Sequence, residues 1–213
     1  MKIVLYHSPG ACSLTSHIAL EEAGAAYHLV RVNLAGGEQR RPEYLAINPH
    51  GRVPALSVDG TIVTENLAVL TWIANAFPNA NLLPRNDILK LARVYELLSF
   101  FSSSVHVAFG QLWRPEHFAR EKSAHPAVQE TAREAILRYF AEIKAFLMER
   151  DWIVGAEFSA ADTYPFVFHR WGKRIGVDMS TYPGWTAHTE RMLSRPTVET
   201  AYRQEGLERS EFL

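Results

Sequence analysis

The sequence predicts an α/β domain built on a four-stranded mixed sheet, followed by an all-helical domain. Three observations lead there. Strand-like apolar runs are confined to roughly the first 77 residues. Asp59-Gly60 lies between two short alternating runs, the strongest two-residue hairpin signal in the chain. After the Pro/Asn-rich stretch "PNANLLPRND" (78–87), apolar residues recur at helical spacing and strand patterns nearly vanish.

Each element follows from local chemistry. "KIVLY" (2–6) is a β-branched apolar run ended by Pro9-Gly10, a buried strand. Leu14, Ile18, Leu20 and Ala23 give an amphipathic helical run, with Gly24 as its stop. "YHLVRVNL" (27–34) alternates as a second strand, and "EQRRPEYLAIN" (38–48) reads as a short irregular helix. "VPALSVDGTIVTE" (53–65) supplies the hairpin strands. "NLAVLTWIANAF" then places Leu67, Leu70, Ile73, Ala74 and Phe77 on one helical face. The order βαβαββα gives a mixed sheet with helices packed on it. Residues 1–78 form this domain, 79–87 the linker and 88–213 the helical domain. Helical spacing there covers 88–110, 126–150, 160–176 and 185–204.

Composition narrows the class. With 213 residues, 47% apolar and 21% charged, the chain has the make-up of a soluble globular protein. A formal net charge of −1 gives no whole-chain field that favours nucleic acid or an anionic membrane. The start breaks after a few apolar residues, too soon for a signal peptide, and no stretch is long enough to span a bilayer. A single cysteine makes no internal disulfide and no Cys-rich zinc site, which suits a reducing, cytoplasmic setting.

Four stretches carry candidate chemistry. In "YHSPGACSLTSH" (6–17), Cys12 and Ser13 stand where a strand turns into a helix. The helix N-terminus favours an anion and lowers thiol pKa values, and Ser13 offers a capping hydroxyl. A small buried cysteine with a capping serine fits the same residues. His7 and His17 flank the thiol, but without further ligands at a recognisable spacing they make no metal site. In "NPHGRVPAL" (48–56), Pro54 precedes a strand. A cis Val53–Pro54 bond would leave the Val53 backbone free to pair with a peptide-like ligand, while a trans edge-strand proline is the plain alternative.

In "TENLAVL" (64–70), Glu65 and Asn66 open a helix, either as ordinary caps or as a site for a zwitterionic amino-acid end. In "FSAADTYPF" (158–166), Ser159 and Asp162 form a capping box, a folding signal with Phe158 as its staple. Tyr164, Phe168 and Trp171 read as core. Phe109 and Trp113 are candidates to line an apolar pocket.

These four stretches, in this order, resemble the cytosolic glutathione transferases over the whole chain. The cysteine after "SPGA" and the histidine in "SSVHVAF" (103–109) are most similar to the bacterial beta class. The resemblance implies a thioredoxin-like first domain, glutathione as co-substrate, no metal, and a homodimer with the site near its interface. It implies that Cys12 faces the glutathione sulfur, with Ser13 and Tyr6 hydroxyls nearby. Val53, before cis Pro54, would pair with the cysteinyl backbone. Glu65 and Asn66 would hold the γ-glutamyl end, and His106 would approach from the helical domain.

The chain departs from relatives at Asn66, often Ser or Gly, at Val107, often Lys, and at Ser99, often Asn. "NLAGGEQ" lacks a lysine that relatives use near the glycyl end, where Arg52 or Arg40 would substitute. The implied activity is attack of the glutathione thiolate on a small hydrophobic electrophile; dehalogenation, ether cleavage, isomerisation and detoxifying conjugation all fit. A thiol-disulfide reductase acting through Cys12 is the second reading, and a non-catalytic binding protein of the same fold is the third.

Overall fold

A computed structural model describes residues 1–213. Strands β1 (Ile3–His7), β2 (Tyr27–Arg31), β3 (Ala55–Val58) and β4 (Thr61–Thr64) form one mixed sheet in the order β2-β1-β3-β4. β1 runs parallel to β2, with Leu5 opposite Leu29, and antiparallel to β3, with Leu5 opposite Leu56. The parallel pair needs a crossover, which helix α1 (Ser13–Glu22) provides. β3 and β4 pair antiparallel through the Asp59-Gly60 turn. Both turn residues have positive φ, +48° and +91°, which the primed hairpin turn requires. Short helix α2 (Pro42–Leu45) precedes β3, and α3 (Asn66–Ala76) follows β4. The βαβαββα order and the mixed sheet are as the alternation predicts.

α1 differs from its sequence pattern. Its spacing reads as amphipathic, yet every residue from Ser13 to Leu20 is buried. Helices of the second half cover the face that the sheet leaves open: α7 (Thr163–Arg174) and α9 (Pro196–Gln204) both pack on α1. Its buried polar side chains are accordingly hydrogen-bonded, as burial demands. Thr15 donates to the Cys12 carbonyl at 2.8 Å, Ser16 donates to Asn66, and His17 meets Glu205 at 3.0 Å.

The helical part comprises α4 (Ile88–Phe100), α5 (His106–Trp113), α6 (His125–Leu147), α7, α8 (Pro183–Leu193) and α9. Asp87 caps α4 by accepting from the Lys90 amide at 3.0 Å. A π-helical turn over Phe101–Val105 joins α4 to α5. Ser102 and Ser103 donate back to the carbonyls of Leu98 and Ser99, both at 2.8 Å, and occupy acceptors of the preceding turn.

The spacing over 185–204 predicts one helix. The chain forms two instead, because Pro196 has no N–H and pushes Arg195 to an extended φ of −83° and ψ of 123°. One continuous apolar core of 43 residues runs from the sheet through α1 into the helices. The connecting stretch is anchored to it: Leu82 and Leu83 are buried, and the Leu82 carbonyl accepts from the Ala160 amide at 2.9 Å. No helix is long and apolar enough to cross a membrane.

Candidate functional site

The turn Ser8–Ala11 closes on an Ala11 N–H to Ser8 carbonyl bond of 3.0 Å and delivers Cys12 to the start of α1. Cys12 is 5% exposed, and its Sγ donates to the Val53 carbonyl at 3.4 Å. A lowered thiol pKa is the expectation for a helix N-terminus. The structure reverses it: burial pushes the Cys12 thiol up to about 12. The backbone N–H groups of Cys12 and Ser13 do pull downward, but desolvation outweighs them, and Glu65 and Glu205 add to the rise. Cys12 is therefore a neutral thiol at physiological pH. The Ser13 hydroxyl is committed elsewhere, accepting from the Ser8 amide at 3.1 Å and donating to the Ser8 carbonyl at 3.3 Å.

The Val53–Pro54 bond is cis. Tyr44 Oη and Asn48 Nδ2 both donate to the Arg52 carbonyl at 2.7 Å, which fixes the segment just before it. The Val53 N–H donates to nothing within the chain, so the position just before β3 stays open beside Cys12. Tyr6, on β1, packs its ring edge-on to Tyr44 at 6.0 Å. Arg52 is exposed, and the Arg40 guanidinium lies against the Gly51 backbone, so two cations stand beside the segment that leads into β3.

Glu65 caps α3 with φ +66° and ψ 118°, a region that non-glycine residues rarely occupy. Its side chain is exposed and enters no ion pair within the chain. The carbonyl accepts from the Val69 amide at 2.9 Å, leaving the first N–H groups of α3 aimed outward beside a free carboxylate. Asn66 points the other way. Its Nδ2 donates to the Cys12 carbonyl at 3.1 Å, to Thr15 Oγ1 at 2.5 Å and to Tyr164 Oη at 3.0 Å, and its Oδ1 accepts from Ser16. The Asn66 side chain thus ties α3 to α1 and α7, and only its backbone faces the cleft.

From the helical side, His106 sits edge-on to Trp171 at 5.2 Å. Burial, with the nearby Arg52 charge, lowers its pKa to about 4, so the imidazole is neutral at pH 7. Trp171 Nε1 donates to the Gly10 carbonyl at 2.9 Å, which brings His106 to the Cys12 turn through one indole. Phe109, a pocket candidate by sequence, is fully buried; it stacks on Phe168 at 5.9 Å and meets Trp171 edge-on at 5.0 Å. Trp113 is 41% exposed, under the Arg174 guanidinium, and is the aromatic of this group that reaches solvent.

Two carboxylates hold the surroundings. The Ser159/Asp162 capping box forms as its spacing predicts, and Asp162 also accepts from the Ile153 amide at 2.7 Å and meets His188 Nε2 at 3.0 Å. Sequence reasoning misses Glu205. His7 and His17 converge on its Oε1, at 3.3 and 3.0 Å, and the Gly10 amide donates to its Oε2 at 2.7 Å. Burial raises the Glu205 pKa, but hydrogen bonding from His17, His7 and Gly10 more than offsets it and holds the carboxyl below its usual range. The paired histidines are the signal in the sequence; their partner lies 188 residues beyond His17. A cavity of about 700 Å³ between residues 78–90 and 152–159 is lined by Ser159 of the capping box but by none of Cys12, Val53, Glu65 and His106.

Residues 1–75 match the family model for the glutathione S-transferase N-terminal domain, and residues 94–196 match that for its C-terminal domain. The chain is 33% identical over 205 residues to glutathione S-transferase GstA of Escherichia coli O157:H7, spanning 95% of this chain and 98% of that protein. A glutathione transferase homologue from Sulfitobacter, solved with bound glutathione, superposes with a TM-score of 0.92 at 34% identity, covering 97% of this chain and 99% of that one. The bacterial beta class glutathione S-transferase of Sphingomonas chungbukensis gives 0.85 at 39% identity, covering 98% and 100%.

Proposed function

Because this chain belongs to the glutathione S-transferase family, we propose that it binds glutathione along the Val53 backbone, just before β3, and directs its sulfur at a small hydrophobic electrophile. The observation that carries this reading is the convergence at Val53. An unpaired N–H stands beside a carbonyl whose present donor is the Cys12 thiol. An extended cysteinyl unit pairing there sets its own sulfur next to Cys12.

The remaining groups suit the rest of the tripeptide. The γ-glutamyl carboxylate takes the free N–H groups at the start of α3, and its ammonium takes Glu65. Arg52 and Arg40 take the glycyl carboxylate, in place of the lysine that "NLAGGEQ" lacks. Near the sulfur, the Cys12 and Ser13 backbone N–H groups and the neutral Cys12 S–H are donors that favour a thiolate. Tyr6 and the neutral His106 border the same region. Trp113 offers an apolar surface for the electrophile. The buried, neutral state of Cys12 speaks against a thiol-disulfide reductase that uses it as nucleophile. A homodimer completes the proposal.

Calorimetry with glutathione, run with reductant on wild type and Cys12→Ala, tests this alongside turnover of a chlorodinitrobenzene electrophile. Binding and conjugation in both proteins are expected. Absence of binding in both overturns the reading, and turnover lost only in Cys12→Ala returns the reaction to that thiol. Light scattering is expected to give twice the 24.1 kDa chain mass.

A further inference from the structure

One cation beside the cleft has no partner in the chain. Arg174, the last residue of α7, is exposed, and no carboxylate pairs with it. Its neighbours on the same helix are engaged: Arg170 is held by Glu211 at 2.6 Å, and Lys173 donates to the Ser210 carbonyl at 3.0 Å. Glu211 lies within the field of Arg174, but both of its oxygens are taken, Oε2 by Arg170 and Oε1 by the Glu208 amide at 3.0 Å. Nor does Arg174 cap its helix, because the closing carbonyls of α7 accept from the amides of Ile175 and Gly176.

The Arg174 guanidinium instead lies over the ring of Trp113, 5.7 Å from its centroid. Trp113 meets Trp171 edge-on at 5.0 Å; Trp171 in turn meets His106 at 5.2 Å and donates to the Gly10 carbonyl of the Cys12 turn. An aromatic path thus runs outward from that turn and ends in a positive charge. A glutathione thiolate at the inner end repels an anionic electrophile, and the neutral His106 there does nothing to offset it. A cation at the outer end draws the anionic group away from the sulfur and turns the opposite end of the molecule inward. Arg52 is spent on the glycyl carboxylate in the reading above, which leaves Arg174 for the second substrate.

We propose that Arg174 is a specificity-determining residue that anchors a carboxylate, so that this protein selects aromatic electrophiles whose carboxylate lies across the ring from the carbon attacked. The proposal rests on the transferase reading above and names the class of electrophile within it. A guanidinium fork matches a carboxylate with two parallel N–H donors, which a lone ammonium does not. The aromatic ring between the two ends of the substrate suits the indole surface of Trp113.

The probe is 4-chloro-3,5-dinitrobenzoate, and its neutral amide is the control. In both, the glutathione sulfur bonds to the carbon that bears chlorine, the C–Cl bond breaks, chloride leaves with the electron pair, and the thiol proton goes to water. After correction for the uncatalysed rates, wild type is expected to favour the acid over the amide in kcat/KM. Arg174→Gln should cut that acid-to-amide ratio about tenfold, mainly through KM of the acid. Arg174→Lys keeps the charge without the fork and should recover part of the ratio. Added salt should lower the ratio in wild type but not in Arg174→Gln, because the anchor is open to water.

A second readout needs no turnover. The unreactive 3,5-dinitrobenzoate is expected to quench tryptophan fluorescence and to bind wild type about tenfold more tightly than Arg174→Gln. An acid-to-amide ratio equal in the two proteins overturns the anchor and leaves the transferase reading intact. Conjugation of neither probe, with dinitrobenzoate binding that still depends on Arg174, overturns the transferase reading and leaves the anchor. Binding that ignores Arg174 overturns the anchor in either case.

Discussion

Cys12 Sγ lies 3.4 Å from the carbonyl oxygen of Val53, a contact across 41 residues between the start of α1 and the segment that leads into the central strand β3. The thiol is a donor there, and burial keeps it so by holding its pKa at about 12. An anionic Cys12 would face the Val53 carbonyl dipole in a buried site, with the Glu65 and Glu205 charges against it. On the proposed function, the sulfur that reacts is accordingly the ligand's, with Cys12 in the wall that receives it.

Alkylation of free Cys12 by iodoacetamide at pH 8 is therefore expected to be on the order of 10³-fold slower than that of an unperturbed cysteine, since only the thiolate reacts. The rate should keep rising with pH well beyond 9, the ordinary thiol value. Rapid alkylation at pH 7 with an inflection near neutrality would show that Cys12 is activated after all.

Glu65 separates binding from stability. Its carboxylate is exposed and unpaired, so Glu65→Gln should leave the urea midpoint nearly unchanged while weakening glutathione about tenfold or more. Glu65→Gly relieves the φ of +66° and is expected to lose no stability, yet to bind equally weakly. Glutathione affinity unaltered in both variants would remove Glu65 from the site.

Asn66 behaves in the opposite sense. Asn66→Ala strips donors and an acceptor from buried Cys12, Thr15, Ser16 and Tyr164 partners, at a cost of about 2–3 kcal/mol in folding stability. Asp162→Ala should cost roughly 3–5 kcal/mol, because it leaves the Ile153 and Ser159 amides and His188 unpaired in the core. Urea titration measures both, and a loss below about 1 kcal/mol in either would contradict its role as a buried junction.

Two histidines set an acid limit. Burial lowers His169 and His106 to about 4, against 6.5 for the ordinary side chain. Between those values the unfolded chain binds more protons, so stability is full above about pH 6.5 and declines as pH falls toward 4. His169 alone accounts for on the order of 3 kcal/mol across that window. Tm measured from pH 7 to 4 should show the decline, and His169→Leu should flatten it. A profile that is flat in wild type would rule out the neutral buried state.

Strand alternation, the Asp59-Gly60 turn, Gly24 after α1 and the Ser159/Asp162 box are local features, and the sequence by itself determined them. Each depends on residues within a few positions of one another, so period and turn chemistry suffice. The motifs around Cys12, Pro54 and Glu65 likewise marked the candidate site. What those residues do there was a tertiary decision. Cys12 stands at a helix N-terminus, and local electrostatics lowers its pKa; the helices that cover α1 bury it, and desolvation wins. Asn66 turns inward because Thr15 and Tyr164 wait behind it, and Phe109 vanishes into an aromatic cluster that includes Phe140 on α6 and Phe168 on α7. Glu205 has no local signature at all. Its meaning comes from meeting His7, Gly10 and His17 across nearly the whole chain, and burial and charge pairing at that range exist only once the two halves have packed together.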